Sequence, residues 1–214
     1  MSDPLDRLLV FGAGGFGREV AWLARLAHPG VELTFVVDRP EYATGPVDGI
    51  EVRLVDDLPV GSGIPYVVGI GDPTARRRVA EACDARGLRA VPLVHPGVDT
   101  SGRLEVGEGS ILCAGVVVTT GIVIGRHVHL NLNSTVGHDC VLGDFATVSP
   151  GVNISGQVRL GTGAFIGTGA AIIDGDAGAP LVVGDGAVVA ACACVTRPVE
   201  PGALVAGVPA VRKR

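Results

Sequence analysis

Aromatic residues are scarce in this chain: one Trp, two Tyr and five Phe among 214 residues, with a single Met. A core of interleaved large rings is excluded, and the interior has to be narrow, regular and built from Val, Ile, Leu and Ala. Basic residues are also few. Seventeen Lys and Arg against 22 Asp and Glu leave a formal net charge of -5, and no dense basic face exists, which argues against nucleic acid or an anionic membrane as the main partner and in favour of small molecules. No window approaches the roughly 18 apolar residues of a membrane span. The opening MSDPLDRLL has no basic start, apolar stretch or small-residue cleavage site, so a cytoplasmic location is expected. Cys83, Cys113, Cys140, Cys192 and Cys194 are odd in number and show no C-x-x-C spacing. They read as buried free thiols, and no metal is expected.

Glycine, by contrast, is abundant, with 33 residues. Every sixth residue from Val106 through Leu112, Val118, Ile124, Leu130 and Val136 to Ile172 is aliphatic, twelve positions without exception. Chance would produce such a run on the order of once in several hundred thousand trials, so the period is structural. A six-residue repeat excludes a long α-helix and describes short strands joined by corners, three strands to a turn of a triangular coil. Gly107, Gly125, Gly137, Gly143, Gly161 and Gly167 follow inward aliphatics, and the expected reason is a corner with φ > 0. The register breaks at DGDAGAP, residues 174–180, and resumes out of phase at Val183, Val189 and Val195.

The first half reads differently. RLLVFGAGGFGREVAWLARLA passes from an apolar run through Gly12-x-Gly14-x-x-Gly17 into helix-period Val20, Leu23 and Ala24, which is strand, glycine loop and helix. TFVVD then supplies a strand ending at Asp38, and YVVGIGDPTARRRVAEACDARG a further strand and a helix opened by Pro73. The expected architecture is a small Rossmann-like βαβαβ domain over residues 1–92 and a parallel β-helix of hexapeptide repeats over residues 93–214, that is, α/β followed by all-β. A dinucleotide site needs two mononucleotide halves, and this stretch has room for one. A nucleotide or nucleotide-sugar is therefore favoured over NAD, with the amides of residues 14–17 near a phosphate or sugar and Asp38 near polar ring groups.

FGAGGFGREV, FVVD, HPGV, GHDCVLGDFATVSPGVNISGQVRLG, GTGAFIGTGA and GVPAVRK together resemble one family across nearly the whole chain. It is the nucleotide-sugar and sialic-acid-type acetyltransferases, which join a Rossmann-like domain to a left-handed hexapeptide β-helix. The resemblance implies acetyl-CoA as co-substrate without a metal, a nucleotide-linked amino sugar as acceptor, and a homotrimer with active sites between coils. It assigns the general base to His138, its acidic neighbour to Asp139, and the amide facing the thioester carbonyl to Gly156. It also implies sugar-nucleotide contacts at Gly12, Gly14, Gly15, Phe16, Asp38, Arg39 and Gly71, and coenzyme contacts at Gly156, Thr168, Ala191, Gly207 and Pro209. The chain departs from the family at Phe16 and Thr147, where relatives often carry histidine.

The chemistry suits these residues. A sugar ammonium is not nucleophilic until it loses a proton, and a histidine accepts protons near neutral pH. His138 follows inward Val136 and Gly137, which places it at a corner and projecting outward. Asp139 can reach it directly only if that corner bends the chain, because neighbours in a strand point to opposite faces. His127 and His129 have ligand-like spacing but no third ligand nearby, and read as structural or surface residues. The alternatives are a sugar O-acetyltransferase using the same base, and a non-catalytic trimeric scaffold with a nucleotide-sensing domain. Resemblance to the γ-type carbonic anhydrases fails because Leu142 stands where their next histidine would be.

Overall fold

The computed structural model describes residues 5–99 and 103–213, and the chain divides into two compact units, residues 1–95 and 96–214. The first contains strands β1 (Arg7–Phe11), β2 (Glu32–Val37), β3 (Glu51–Leu54), β4 (Pro65–Val68) and β5 (Arg89–Ala90), with helices α1 (Gly15–Ala27) and α2 (Pro73–Ala85). All five strands are parallel, in the order β3-β2-β1-β4-β5. Central β1 is a continuous apolar run, and Leu8, Leu9, Val10 and Phe11 are all buried, as a parallel strand covered on both faces requires. The chain departs from β1 toward β2 on one side and returns to β4 on the other, so a crevice opens beyond the carboxyl ends of β1 and β4.

Two details differ from the sequence expectation. The link from β2 to β4 carries no α-helix, only 3-10 turns at Pro40–Tyr42 and Val55–Asp57 flanking β3. β3 escapes sequence reading because EVRL is an edge strand, half-exposed at alternate positions. Helix α2 begins as expected. Asp72 is its N-cap, accepting from the Ala75 amide at 2.7 Å, and Pro73 follows in the first turn, where its missing N–H costs nothing.

The second unit is the coil. Its strands stack in parallel on three faces with partners 18 residues apart, as in His129↔Thr147 and Thr135↔Asn153. The inward aliphatics are buried, among them Val136, Leu142, Val148, Ile154 and Ile166. The DGDAGAP insertion lengthens one turn, so that Leu160 pairs with Val183. The last strand, Val211–Arg212, turns back antiparallel on Leu204–Ala206. No helix among the described residues is long and apolar enough to cross a membrane.

The corners are built otherwise than expected. The left-handed residue is not the glycine after the inward aliphatic but the residue two positions later. Residues 109, 115, 121, 127, 133, 139, 145, 151, 157, 163 and 169 all have φ between 53° and 73°. Five of these are not glycine: His127, Asn133, Asp139, Phe145 and Gln157. The earlier glycines serve close approach. A Cβ at Gly107 would lie 2.4 Å from the Gly125 carbonyl carbon, and one at Gly143 would lie 2.7 Å from the Thr162 nitrogen, so the next rung leaves no room for a side chain.

The histidines and cysteines follow from this frame. His127 and His129 are fully buried, and the His127 ring stacks on Phe145 at 5.1 Å and 7°. Cys83, Cys113 and Cys140 are buried free thiols, whereas Cys192 is exposed and Cys194 half-buried. Those two therefore depart from the expectation: Cys192 occupies an outward corner with φ 57°.

Two outcomes test this frame. Gly143→Ala meets backbone, whereas Gly151→Ala meets only a φ penalty, since no heavy atom lies within 4 Å of its added Cβ. Urea unfolding should show about 1–2 kcal/mol lost for Gly151→Ala and about 3 kcal/mol for Gly143→Ala. In the first unit, burial lowers the pKa of His28, whose Nδ1 accepts from the Leu5 amide at 3.3 Å. A lowered folded pKa means that the unfolded chain takes up the proton first. Stability present above the ordinary value of 6.5 should therefore decline as pH falls through it, and His28→Gln should weaken that decline in unfolding curves measured at neutral and mildly acid pH.

Candidate active site

In the first unit, a cavity of about 770 Å³ occupies the crevice beyond β1, β2 and β4. Gly12, Gly14, Asp38 and Arg39 line it, as do Glu41, Tyr42, Ile70 and Arg78. Each glycine of the fingerprint has its own cause. Gly12 has φ 97°, a Cβ at Gly17 would fall 1.9 Å from the Gly12 oxygen, and nothing lies within 4 Å of a Cβ at Gly14 or Gly15. The first two are held by tight packing, while Gly14 and Gly15 leave the start of α1 uncrowded, with Gly14 at the cavity, and a helix N-terminus favours an anion.

Gly15, Phe16 and Gly71 are not part of the cavity wall. Gly71 is instead held from behind: fully buried Arg76 donates to the carbonyls of Ile70 (2.9 Å) and Gly71 (3.0 Å). Burial pushes its guanidinium down to about 9. Sequence reasoning missed Arg78 and Tyr42. Arg78 was legible, since Ala75, Arg78, Val79 and Ala82 follow helical spacing and all line the cavity. The Arg39 guanidinium sits over the Tyr42 ring at 5.9 Å, a pairing that depends on the 3-10 turn between them.

In the coil, the His138–Asp139 pair sits at a corner. Asp139 is that corner's left-handed residue, φ 56°. The bend brings its Oδ2 to 3.0 Å from His138 Nδ1, a direct contact that an extended chain would forbid. Gln157, one rung on, donates to the same Oδ2 at 3.2 Å, and Arg103 lies 3.9 Å from Oδ1. Facing a carboxylate, Nδ1 must donate, which leaves the lone pair on Nε2. The ring is half-exposed.

Nε2 faces Gly156: a Cβ there would lie 2.4 Å from it. Gly156 is not in the left-handed region, and the atoms nearest an added Cβ there all belong to the His138 ring. Its amide donates to Asp174 Oδ1 at 2.8 Å. His138, Gly156 and Asp174 are thus successive members of one column, 18 residues apart. Beneath the corner, Cys140 donates to the Ser155 carbonyl at 3.2 Å. Burial, and then the carboxylates of Asp139 and Asp174, push its thiol up, which makes it a poor competing nucleophile.

The remaining coenzyme candidates stand elsewhere. Thr168 and Ala191 occupy the corner that follows the face containing Phe165–Ile166 and Val188–Val189, while His138 and Gly156 occupy the corner after Thr135–Val136 and Asn153–Ile154. One chain therefore presents these two groups at opposite edges of a single face. Exposed Gly207 and Pro209 are tied to that face's last strand, Gly207 accepting from the Cys194 amide at 2.9 Å. Thr147, where relatives often have histidine, is buried.

The family described as PglD N-terminal domain matches residues 7–83. Beyond that unit, GDP-perosamine N-acetyltransferase of Escherichia coli O157:H7 is 33% identical over 187 residues, covering 83% of this chain and 82% of that protein. The chain belongs to the sugar N-acetyltransferases of the hexapeptide-repeat superfamily. Solved structures agree. The acetyltransferase domain of PglB from Neisseria gonorrhoeae FA1090, in complex with acetyl coenzyme A, superposes with a TM-score of 0.86 at 33% identity, covering 97% of this chain and 99% of that one. PerB from Caulobacter crescentus, in complex with CoA and GDP-perosamine, gives 0.85 at 28% identity and covers 97% of each chain. Like these members, the chain joins a Rossmann-like unit to a left-handed β-helix.

Because Gly156 and the imidazole share one space, Gly156→Ala should displace the ring without unfolding the coil. If the ring takes part in proton transfer, steady-state kinetics should show kcat reduced by at least about a hundredfold, with the thermal midpoint within a few degrees of wild type.

Proposed function

We propose that this protein transfers the acetyl group of acetyl-CoA to the amino group of a nucleotide-linked amino sugar, with His138 as general base. The observation that carries this reading is the His138–Asp139 contact, which leaves Nε2 turned to the side of Gly156 where a Cβ would stand. The relative that acts on GDP-perosamine and the PerB complex with CoA and GDP-perosamine support the substrates. The first unit's cavity would hold the nucleotide, with the open start of α1 near phosphate, Asp38 and Glu41 as acceptors, and Arg39 and Arg78 as counter-charges.

Nε2 takes a proton from the sugar nitrogen. The nitrogen lone pair forms the new C–N bond to the thioester carbon, and the C–S bond breaks. Of the two protons that the ammonium loses, one ends on the coenzyme sulfur and the other leaves through the imidazole. Asp139 keeps the ring oriented and stabilises its protonated form; it touches no reacting atom. The oxyanion that develops needs a donor, a role that falls to the Gly156 amide once it is released from the Asp174 carboxylate. A second copy would complete the site, bringing its Thr168, Ala191, Gly207 and Pro209 edge against the His138 edge, as a homotrimer does. The reading carries with it a cytoplasmic reaction, since acetyl-CoA and nucleotide sugars are substrates of that compartment.

Incubation with acetyl-CoA and GDP-, UDP- or dTDP-linked amino sugars, followed by release of free thiol, tests the activity. His138→Asn should lower kcat by roughly 10² to 10⁴ with coenzyme affinity retained. The wild-type rate should fall toward acid as the base is protonated, and the variant should lack that limb. Retention of more than about a tenth of kcat, with an unchanged pH profile, would make His138 a surface residue and overturn its role.

A further inference from the structure

The corner device that holds Asp174 recurs in the coil. Asp144 Oδ1 accepts from the Arg126 amide at 2.8 Å, and Asp185 Oδ1 from the Thr162 amide at 2.7 Å, each carboxylate reaching back one rung to an N–H that the ladders leave over. Asp174 does the same to Gly156. What distinguishes it is the neighbour. The amide it holds belongs to the residue whose open face receives the His138 imidazole, so carboxylate and base flank the same glycine from adjacent rungs. Asp174 is also exposed, at the start of the 174–180 insertion, and its charge, with that of Asp139, bears on Cys140 beneath the corner. The Asp139 carboxylate is already engaged by His138 and Gln157. Among the described residues, the Asp174 carboxylate is committed only to a neutral amide.

We propose that Asp174 is the acceptor-selecting residue of the transfer site: its carboxylate receives the protonated amino group of the sugar opposite His138 Nε2, favouring an amine over a hydroxyl on the same carbon. This deepens the function proposed above and rests on it. An ammonium beside a carboxylate makes a charge-assisted hydrogen bond, which a neutral hydroxyl cannot match. An N–H has one proton to give, so a carboxylate that turns to the ammonium also frees the Gly156 amide for the thioester oxygen. The amine would then be held by the group that had covered the oxyanion donor. Asp174 transfers no proton; it positions the nitrogen from which His138 removes one.

The test compares full-length wild type with Asp174→Asn, which keeps an oxygen acceptor for the Gly156 amide but loses the charge, and with Asp174→Ala, which loses both. Two ligands are used: GDP-perosamine, or whichever amino sugar of the panel is turned over best, and its counterpart with a hydroxyl in place of the amine. Affinities come from calorimetry and KM from thiol release. Wild type should prefer the amine. In both variants amine affinity should fall roughly 10- to 100-fold, the range of a hydrogen bond to a charged group. Hydroxyl-analogue affinity should stay within about threefold, so that the preference disappears. A merely structural role would weaken both ligands alike. If Asp174→Asn and Asp174→Ala keep the wild-type preference, or lose both ligands in parallel, while wild type still acetylates, the role of Asp174 is overturned and the proposed function stands. If wild type acetylates no amino sugar, both fall.

Discussion

A chain that turns a corner every six residues must put one residue per corner into the left-handed region, and it must let successive rungs touch. In this coil the two demands fall on different residues. Close approach claims the residue after the inward aliphatic, where a Cβ would strike the next rung's backbone. Left-handedness claims the residue two places on. Glycine stands at six of the twelve places of the first kind, where the next rung comes too near for a Cβ, while Cys113, Thr119, Asn131, Ser149, Ser155 and Ile173 fill the rest; at the second a short polar side chain tolerates φ near 55° at modest cost. That tolerance gives the site its opening. Where Asp139 occupies the left-handed place, the same bend that closes the corner swings its carboxylate onto the imidazole before it.

The surroundings of that pair follow from the 18-residue repeat. Stacking in register puts Gln157 beside Asp139 and Gly156 beside His138, so each side chain at the corner meets one from the adjacent rung rather than a distant loop. Preorganisation is therefore cheap. The elements that position His138 are the elements that hold the coil together, so its orientation is fixed by the fold itself. The carboxylates of Asp139 and Asp174 outnumber the exposed Arg103 guanidinium, an electrostatic setting suited to a cationic acceptor.

The first unit applies close packing differently. Gly12 and Gly17 draw α1 against β1, while Gly14 lines the cavity with nothing crowding it. Buried Arg76 ties down the loop after β4 from the inside. The floor of the cavity is thus backbone held by packing and by one guanidinium, and its charged groups, Asp38, Arg39, Glu41 and Arg78, are side chains of the wall.

Periodicity by itself determined much of this protein. Twelve aliphatics at spacing six specify a coil, because a residue every sixth place drifts off one face of an α-helix, while the glycines spaced among them break a continuous flat strand. Gly12, Gly14 and Gly17 between an apolar run and a helical stripe specify the nucleotide-type unit. His138 was legible as an outward corner residue for the same reason. The cause of the corner glycines was not, because repeat spacing reports where side chains point but not how near the next rung lies. Nor was β3, whose edge position removes the apolar pattern that marks a strand. The direct His138–Asp139 contact required a φ value, and the hold of Asp174 on the Gly156 amide required two rungs to be stacked. Facing direction is local and is written into the chain at short range, whereas contact between residues 18 apart exists only once the coil has closed on itself.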